Sequence, residues 1–228
     1  MLSLRSPGTG PVGEGGSMPR KTTRRHRQGD ESRHRILATT LEIAAERGYE
    51  GTTVGLVTER TGLPASSVYW HFKNKDELLA ETLEYSYRQW REATPTWEGV
   101  DDEGVPDLRA EVRRRLRAAS RALLESPEFW RLGLMLALER RAKEPAARGR
   151  YVEVRLETAA AIARWWASVL PAELRERDDE LPDRLARVHL ALMDGFFVGR
   201  RADPRWDVGA MVELMAEGMA AYVEGVAR

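Results

Sequence analysis

Residues 33–79 read RHRILATTLEIAAERGYEGTTVGLVTERTGLPASSVYWHFKNKDELL, and their punctuation decides the fold. Ile36, Leu37, Leu41, Ala44 and Ala45 recur at helical spacing and give the first segment one apolar face. Gly48 stops that helix, because glycine accepts the left-handed backbone common just past a helix end. Thr53 is placed to cap a second helix, VGLVTERT, by accepting from a free backbone N–H. Gly62 permits a tight turn, and Pro64 opens a third helix, ASSVYWHF. Asn74 then caps a fourth, with Glu77 three residues on in a capping-box relation.

Two short helices joined by a tight, glycine-containing turn form a helix-turn-helix. The second helix of such a pair enters the major groove of duplex DNA, which is wide enough to admit it. Here that helix turns Val68 and Phe72 inward. It presents Ala65, Ser66, Ser67, Tyr69, Trp70 and His71 outward. An ordinary surface helix carries Glu and Lys on its solvated side. This one carries no acid, as a helix pressed against phosphates requires.

Outward from this segment the helical pattern continues. Leu108, Val112, Leu116, Ala119 and Leu123 form one stripe, and Val152, Leu156, Ala159, Ala163, Trp166 and Leu170 another. Leu181, Leu185, Val188, Leu192 and Phe196 form a third; Met211, Met215, Gly218 and Tyr222 form a fourth. Prolines at 95, 106, 127, 145, 171, 182 and 204 divide these stripes. No stretch alternates with the period of a strand. The expected fold is all-α, with about nine helices: a three-helix DNA-binding domain over 29–75, then a larger helical domain over 76–228.

Residues 1–28 carry almost no large apolar side chains and read as a disordered basic extension. Met18, just ahead of the basic run, is a second candidate start, which would put residues 1–17 outside the native protein. Gly8, Gly10 and Gly13 match the dinucleotide-binding spacing, but neither a preceding strand nor a following helix is predicted and Pro11 interrupts them. Arg24, Arg25 and Arg27 are candidates for a DNA-contacting arm.

Composition narrows the function. The 228 residues are 42% apolar and 32% charged, enough for a sizeable core, and their formal net charge is zero. DNA contact must therefore use a local patch rather than a uniformly basic coat. Cysteine is absent, which removes disulfides, thiolate catalysis and cysteine-bound zinc. No apolar run spans a bilayer and no secretory leader is evident, so a cytoplasmic location without membrane association is expected. The four histidines form no metal-spaced pair; no nucleophile elbow or phosphate loop is present. No enzyme, metal or cofactor is implied.

The segment resembles the DNA-binding domain of the TetR family of bacterial transcriptional regulators. The resemblance rests on Ile36, Leu37, Gly48, Tyr49, Thr52, Thr53, Gly62, Tyr69, Phe72, Lys73, Lys75 and Leu78, ungapped within 32–85. It implies that Thr53, Tyr69, His71 and Lys75 contact phosphates. It also implies that Ser66 and Ser67 face base edges and that Trp70 meets a thymine methyl or a sugar. Departures fall at Ala65, Thr58, Thr61 and the Gly55–Leu56 pair, which leaves the operator sequence unspecified.

The resemblance further implies a homodimer, paired through 182–200 and 207–227 with Gly195, Gly199, Gly218 and Gly225 easing close approach. It implies a small-molecule effector that releases double-stranded operator DNA. Candidate pocket residues are Trp90, Trp130, Met135, Glu139, Trp166 and His189, each of which also fits an ordinary core position. A helical DNA-binding adaptor that senses nothing, and an activator rather than a repressor, remain as alternatives.

Overall fold

In a computed structural model the described residues are 20–93, 97, 105, 107–125, 127–138 and 146–227, without the side chains of 20–26 and 93. They form ten helices and no strand. The first four are α1 (Arg20–Gly51), α2 (Val54–Thr61), α3 (Ala65–His71) and α4 (Lys75–Ala93). The next three are α5 (Leu108–Glu125), α6 (Glu128–Leu138) and α7 (Ala146–Val169). The last three are α8 (Ala172–Arg177), α9 (Leu181–Ala202) and α10 (Val208–Val226). The helix beyond the nine expected is α8, six residues with only Leu174 buried.

The breaks lie where local chemistry puts them. Gly48 takes φ +74°, which bends the end of α1 sharply and would strain any residue with a Cβ. Gly62 takes φ +67° after α2, and its N–H closes onto the Thr58 carbonyl. Thr53 Oγ1 accepts from the Leu56 N–H at 3.2 Å. At the start of α4, Asn74 accepts from the Glu77 N–H at 2.8 Å, and the Glu77 carboxylate accepts from the Lys73 N–H at 2.7 Å. The reciprocal bond lands one residue earlier than a capping box requires, yet it still satisfies a free donor.

One expectation is corrected. Residues 20–28, read as disordered, are helical, and α1 runs nine residues ahead of the expected boundary. Residues 1–19 lie outside the described residues. No glycine or proline interrupts 20–28, and Arg, Lys and Gln are good helix formers. A helix already nucleated by buried Ile36 and Leu37 extends at one hydrogen bond per residue fixed.

Two apolar clusters organise the chain. The smaller joins Ile36, Leu37 and Ile43 of α1, Val57 of α2, Val68 of α3, Phe72, and Leu78 of α4. The larger takes Leu41 and Ala44 from the other side of α1, Leu79 and Leu83 from α4, and the apolar faces of α5–α10. Both α1 and α4 serve both clusters, so the small N-terminal bundle is built onto the larger body rather than tethered to it. Arg109, Arg113 and Arg117, one turn apart on α5, pair with Glu213, Glu217 and Glu224 of α10. These pairs are partly solvated and contribute little, so burial rather than charge holds α10.

Candidate nucleic-acid interface

The α3 helix is short because both ends are fixed. Pro64, extended at φ −66° and ψ 152°, precedes it, and Phe72 leaves it at φ −138° and ψ 128°. Val68 and Phe72 are buried and clamp one side against α1 and α2. The opposite side is open: Tyr69 is 57% exposed and Trp70 76%. Ser66 is exposed and Ser67 half-buried. Two adjacent aromatics this bare leave a large apolar area in water, which is unusual for a surface with no partner.

The extended α1 stands beside this face. The Trp70 ring edge lies 3.6 Å from where a side chain on Gly29 would begin. His71 Nε2 shares a 2.8 Å hydrogen bond with the Ser32 hydroxyl. Gln28, Gly29, Ser32, Ser66, Ser67, Trp70 and His71 thereby line an open notch of 460 Å³ between α1 and α3. Burial and the Arg33 guanidinium lower the His71 pKa, with Asp30 opposing them. His71 therefore stays neutral at pH 7 and acts as a hydrogen-bond partner rather than a cation. Of the arm candidates, Arg27 is exposed, and the side chains of Arg24 and Arg25 lie outside the described residues.

Thr53 and Lys75 flank the same end of the molecule. The Thr53 hydroxyl accepts its capping bond, which leaves its own proton free to donate to an incoming oxygen. Lys75 Nζ sits 4.7 Å from the centre of the Tyr49 ring, donates to the Glu50 carbonyl at 3.2 Å and lies 3.6 Å from the Glu50 carboxylate. The lysine is thus held in place at the N-terminus of α4, where helix N–H groups and positive charge together favour an anion.

The pocket candidates do not form one constellation. Trp90 and Trp130 meet edge to face at 5.9 Å, and Trp90 stacks on Phe129 at 5.4 Å. His189 instead faces Trp97 at 5.1 Å, which meets Trp165 at 5.4 Å; Trp166 adjoins Trp165 at 4.7 Å. Met135 belongs to neither group: its methyl lies 2.9 Å from the position of a Cβ on Gly48, at the corner of α1. Glu139 lies outside the described residues. Trp130 Nε1, Trp166 Nε1 and His189 Nδ1 are buried without a hydrogen-bond partner among the described residues. Trp165 differs, donating to Glu111 at 3.3 Å. Burial alone would raise the Glu111 carboxyl, but the Arg114 fork, Trp165 N–H and Arg115 bring it below its ordinary value.

The pairing candidates are better grouped. Leu181, Leu185, Val188, Leu192 and Phe196 of α9 line an open apolar trough of 590 Å³ with Met211, Leu214, Met215, Gly218 and Tyr222 of α10. Val188, Leu214 and Tyr222 stand about half exposed or more. Gly195, Gly218 and Gly225 have open space where a side chain would be, but Gly199 does not. A Cβ there would lie 2.1 Å from the Trp206 ring, so Gly199 seats its own chain's tryptophan.

Comparison with known proteins agrees with the helical fold and its N-terminal helix-turn-helix. The family described as "Bacterial regulatory proteins, tetR family" matches residues 36–82. The HTH-type transcriptional regulator AcrR of Shigella flexneri is 33% identical over 69 residues, covering 30% of this chain and 31% of that protein. The tetracycline repressor protein class C of Escherichia coli is 43% identical over 47 residues, covering 21% and 22%. The chain thus spans less than a third of the length of these curated relatives. The solved structure of NalD, the secondary repressor of the MexAB-OprM multidrug efflux pump in Pseudomonas aeruginosa, superposes with a TM-score of 0.61 at 22% identity, covering 86% of this chain and 96% of NalD. Over residues 36–82 the chain is thus similar to the tetR family of bacterial regulatory proteins.

Proposed function

We propose that the chain is a transcriptional regulator that binds operator DNA as a homodimer, with α3 in the major groove, and represses until a small organic ligand releases it. The observation that carries this is α3 itself: a seven-residue helix clamped by Val68 and Phe72 and presenting bare Ser66, Tyr69 and Trp70, with no acid on it. Lys75 and Thr53 are the phosphate contacts, and α1 from Arg20 to Arg27 is the basic arm, now a helix rather than a loose tail. Sequence reading comes from Ser66, Ser67 and Trp70; positioning comes from Thr53, Tyr69, His71 and Lys75.

Dimerisation is supported by the α9–α10 trough, whose apolar side chains face water in the single chain. Two copies related by a two-fold axis would carry their α3 helices to half-sites about 34–36 Å apart. This assigns the protein no catalytic role. It fits a cytoplasmic location, and no helix among the described residues is long and apolar enough to cross a membrane.

For effector release, the supporting feature is the tryptophan-rich interior with unpartnered Trp130, Trp166 and His189 nitrogens. A ligand with acceptor atoms would satisfy an indole N–H in either group, while the His189 nitrogen donates or accepts according to its tautomer. A second reading, a regulator that senses nothing, is favoured by the way Trp90, Phe129 and Trp130 already fill their space with one another. Binding of labelled duplex from the region beside the protein's own gene, followed by a screen for compounds that release it, separates the two. Specific binding with no releasing compound supports the second reading, and no specific binding rejects both.

A further inference from the structure

We infer that Asp76 is a positioning residue that couples the larger helical body to the DNA-gripping end; the inference rests on the DNA-binding reading above. Asp76 lies in the first turn of α4, directly after Lys75. Its carboxylate does two things at once. Both oxygens accept from the Ala146 N–H, the first of α7, at 3.0 Å. Oδ1 also accepts from the Tyr49 hydroxyl at 3.1 Å. Tyr49 in turn carries the Lys75 ammonium over its ring at 4.7 Å. One acid therefore joins the N-terminus of α7, the corner after the Gly48 bend, and the lysine that meets phosphate.

The chemistry favours a firm tie. A carboxylate at a helix N-terminus is stabilised by the unsatisfied N–H groups and the helix dipole, and here it faces two such termini, those of α4 and α7. Two neighbouring contacts keep the joint in register. Arg150, one turn into α7, reaches Glu84 of α4 at 2.7 Å, and Met135 of α6 fills the hollow at Gly48. When α7 shifts, Asp76 carries the Tyr49 ring with it, and Lys75 moves relative to α3. By linkage, an anion that fixes Lys75 also quiets the first turns of α7. Leu79 and Leu83 bury the next turns of α4 in the larger core, so α4 does not absorb the movement by bending locally.

The test needs no effector. Amide hydrogen exchange is followed in the full chain with and without a 30-base-pair duplex of arbitrary sequence at low salt. In the wild type, duplex slows exchange across residues 147–152 by roughly fivefold or more. In Asp76→Ala the duplex still binds, since a negative charge near phosphate has been removed, but the slowing at 147–152 disappears. Tyr49→Phe, which keeps the ring under Lys75 and the Asp76–Ala146 bond, also loses most of it. Asp76→Glu restores part. Equal slowing in wild type and Asp76→Ala overturns the inference, as does duplex binding in the wild type with no response at 147–152. A wild type that binds no duplex overturns the DNA-binding reading, and this inference with it.

Discussion

Replacing Leu214 by alanine isolates the pairing of two chains from the folding of one. In the single chain this side chain is 68% exposed on the open side of α10, between Met211 and Gly218 in the apolar trough. Fully burying a leucine is worth about 1.5–3 kcal/mol. Covering the exposed two-thirds of Leu214 is therefore worth about 1–2 kcal/mol per chain. A two-fold interface uses the same residue twice, so the dimer loses about 2–4 kcal/mol, a rise of roughly 30- to 700-fold in its dissociation constant. Because the side chain contributes little inside its own chain, monomer stability should change by no more than about 0.5 kcal/mol. Sedimentation equilibrium across a concentration series reads the first quantity, and chemical denaturation of the dissociated chain reads the second. A variant that dimerises like the wild type, or a wild type that is monomeric at tens of micromolar, refutes the assignment of this face.

Other consequences are as specific. Thr53→Ala removes the cap on α2 and should cost about 1 kcal/mol of stability, which Thr53→Ser restores; denaturant titration checks both. Gly133→Ala places a methyl 2.0 Å from the Tyr151 ring, so it should lower the melting temperature by several degrees, whereas Gly149→Ala, in open space on α7, should not. His189 is buried and burial pushes its pKa down to about 3, against an ordinary 6.5. The unfolded chain then binds a proton that the folded chain refuses. Stability falls as pH drops below 6.5 toward 3, by at most about 1.4 kcal/mol per unit. Asp194, raised by burial despite its Arg155 partner, works in the opposite sense. Melting curves of wild type against His189→Leu between pH 7 and pH 5 therefore isolate the histidine, and parallel slopes would remove it from the account.

The N-terminal bundle was legible because its signals are local. Gly48, Gly62, Thr53 and Asn74 act within three or four residues of themselves, and each takes the geometry its chemistry requires. The inward placing of Val68 and Phe72 follows from helical spacing in the same way. The helical start at Arg20 was not legible, since a polar, basic run looks alike whether it is free or the continuation of a helix nucleated downstream. Spacing shows that Trp90, Trp130, Met135 and His189 turn inward, but not which neighbours they meet. Those neighbours, such as Gly48 for Met135, come from elements distant in sequence. The role of Asp76 is not legible for the same reason. In the sequence it is an acid in a first turn, and its partner at Ala146 lies 70 residues away.

The central claim concerns the exposed face of α3, and one titration meets it directly. Fluorescence anisotropy of a labelled duplex from beside the protein's own gene is measured across a salt series for wild type and for Tyr69→Ala/Lys75→Ala. The account predicts an affinity reduced by roughly tenfold or more and a salt slope shallower by about one for each lysine lost, with an unchanged melting temperature. Equal affinity and an equal slope for the two proteins would contradict it.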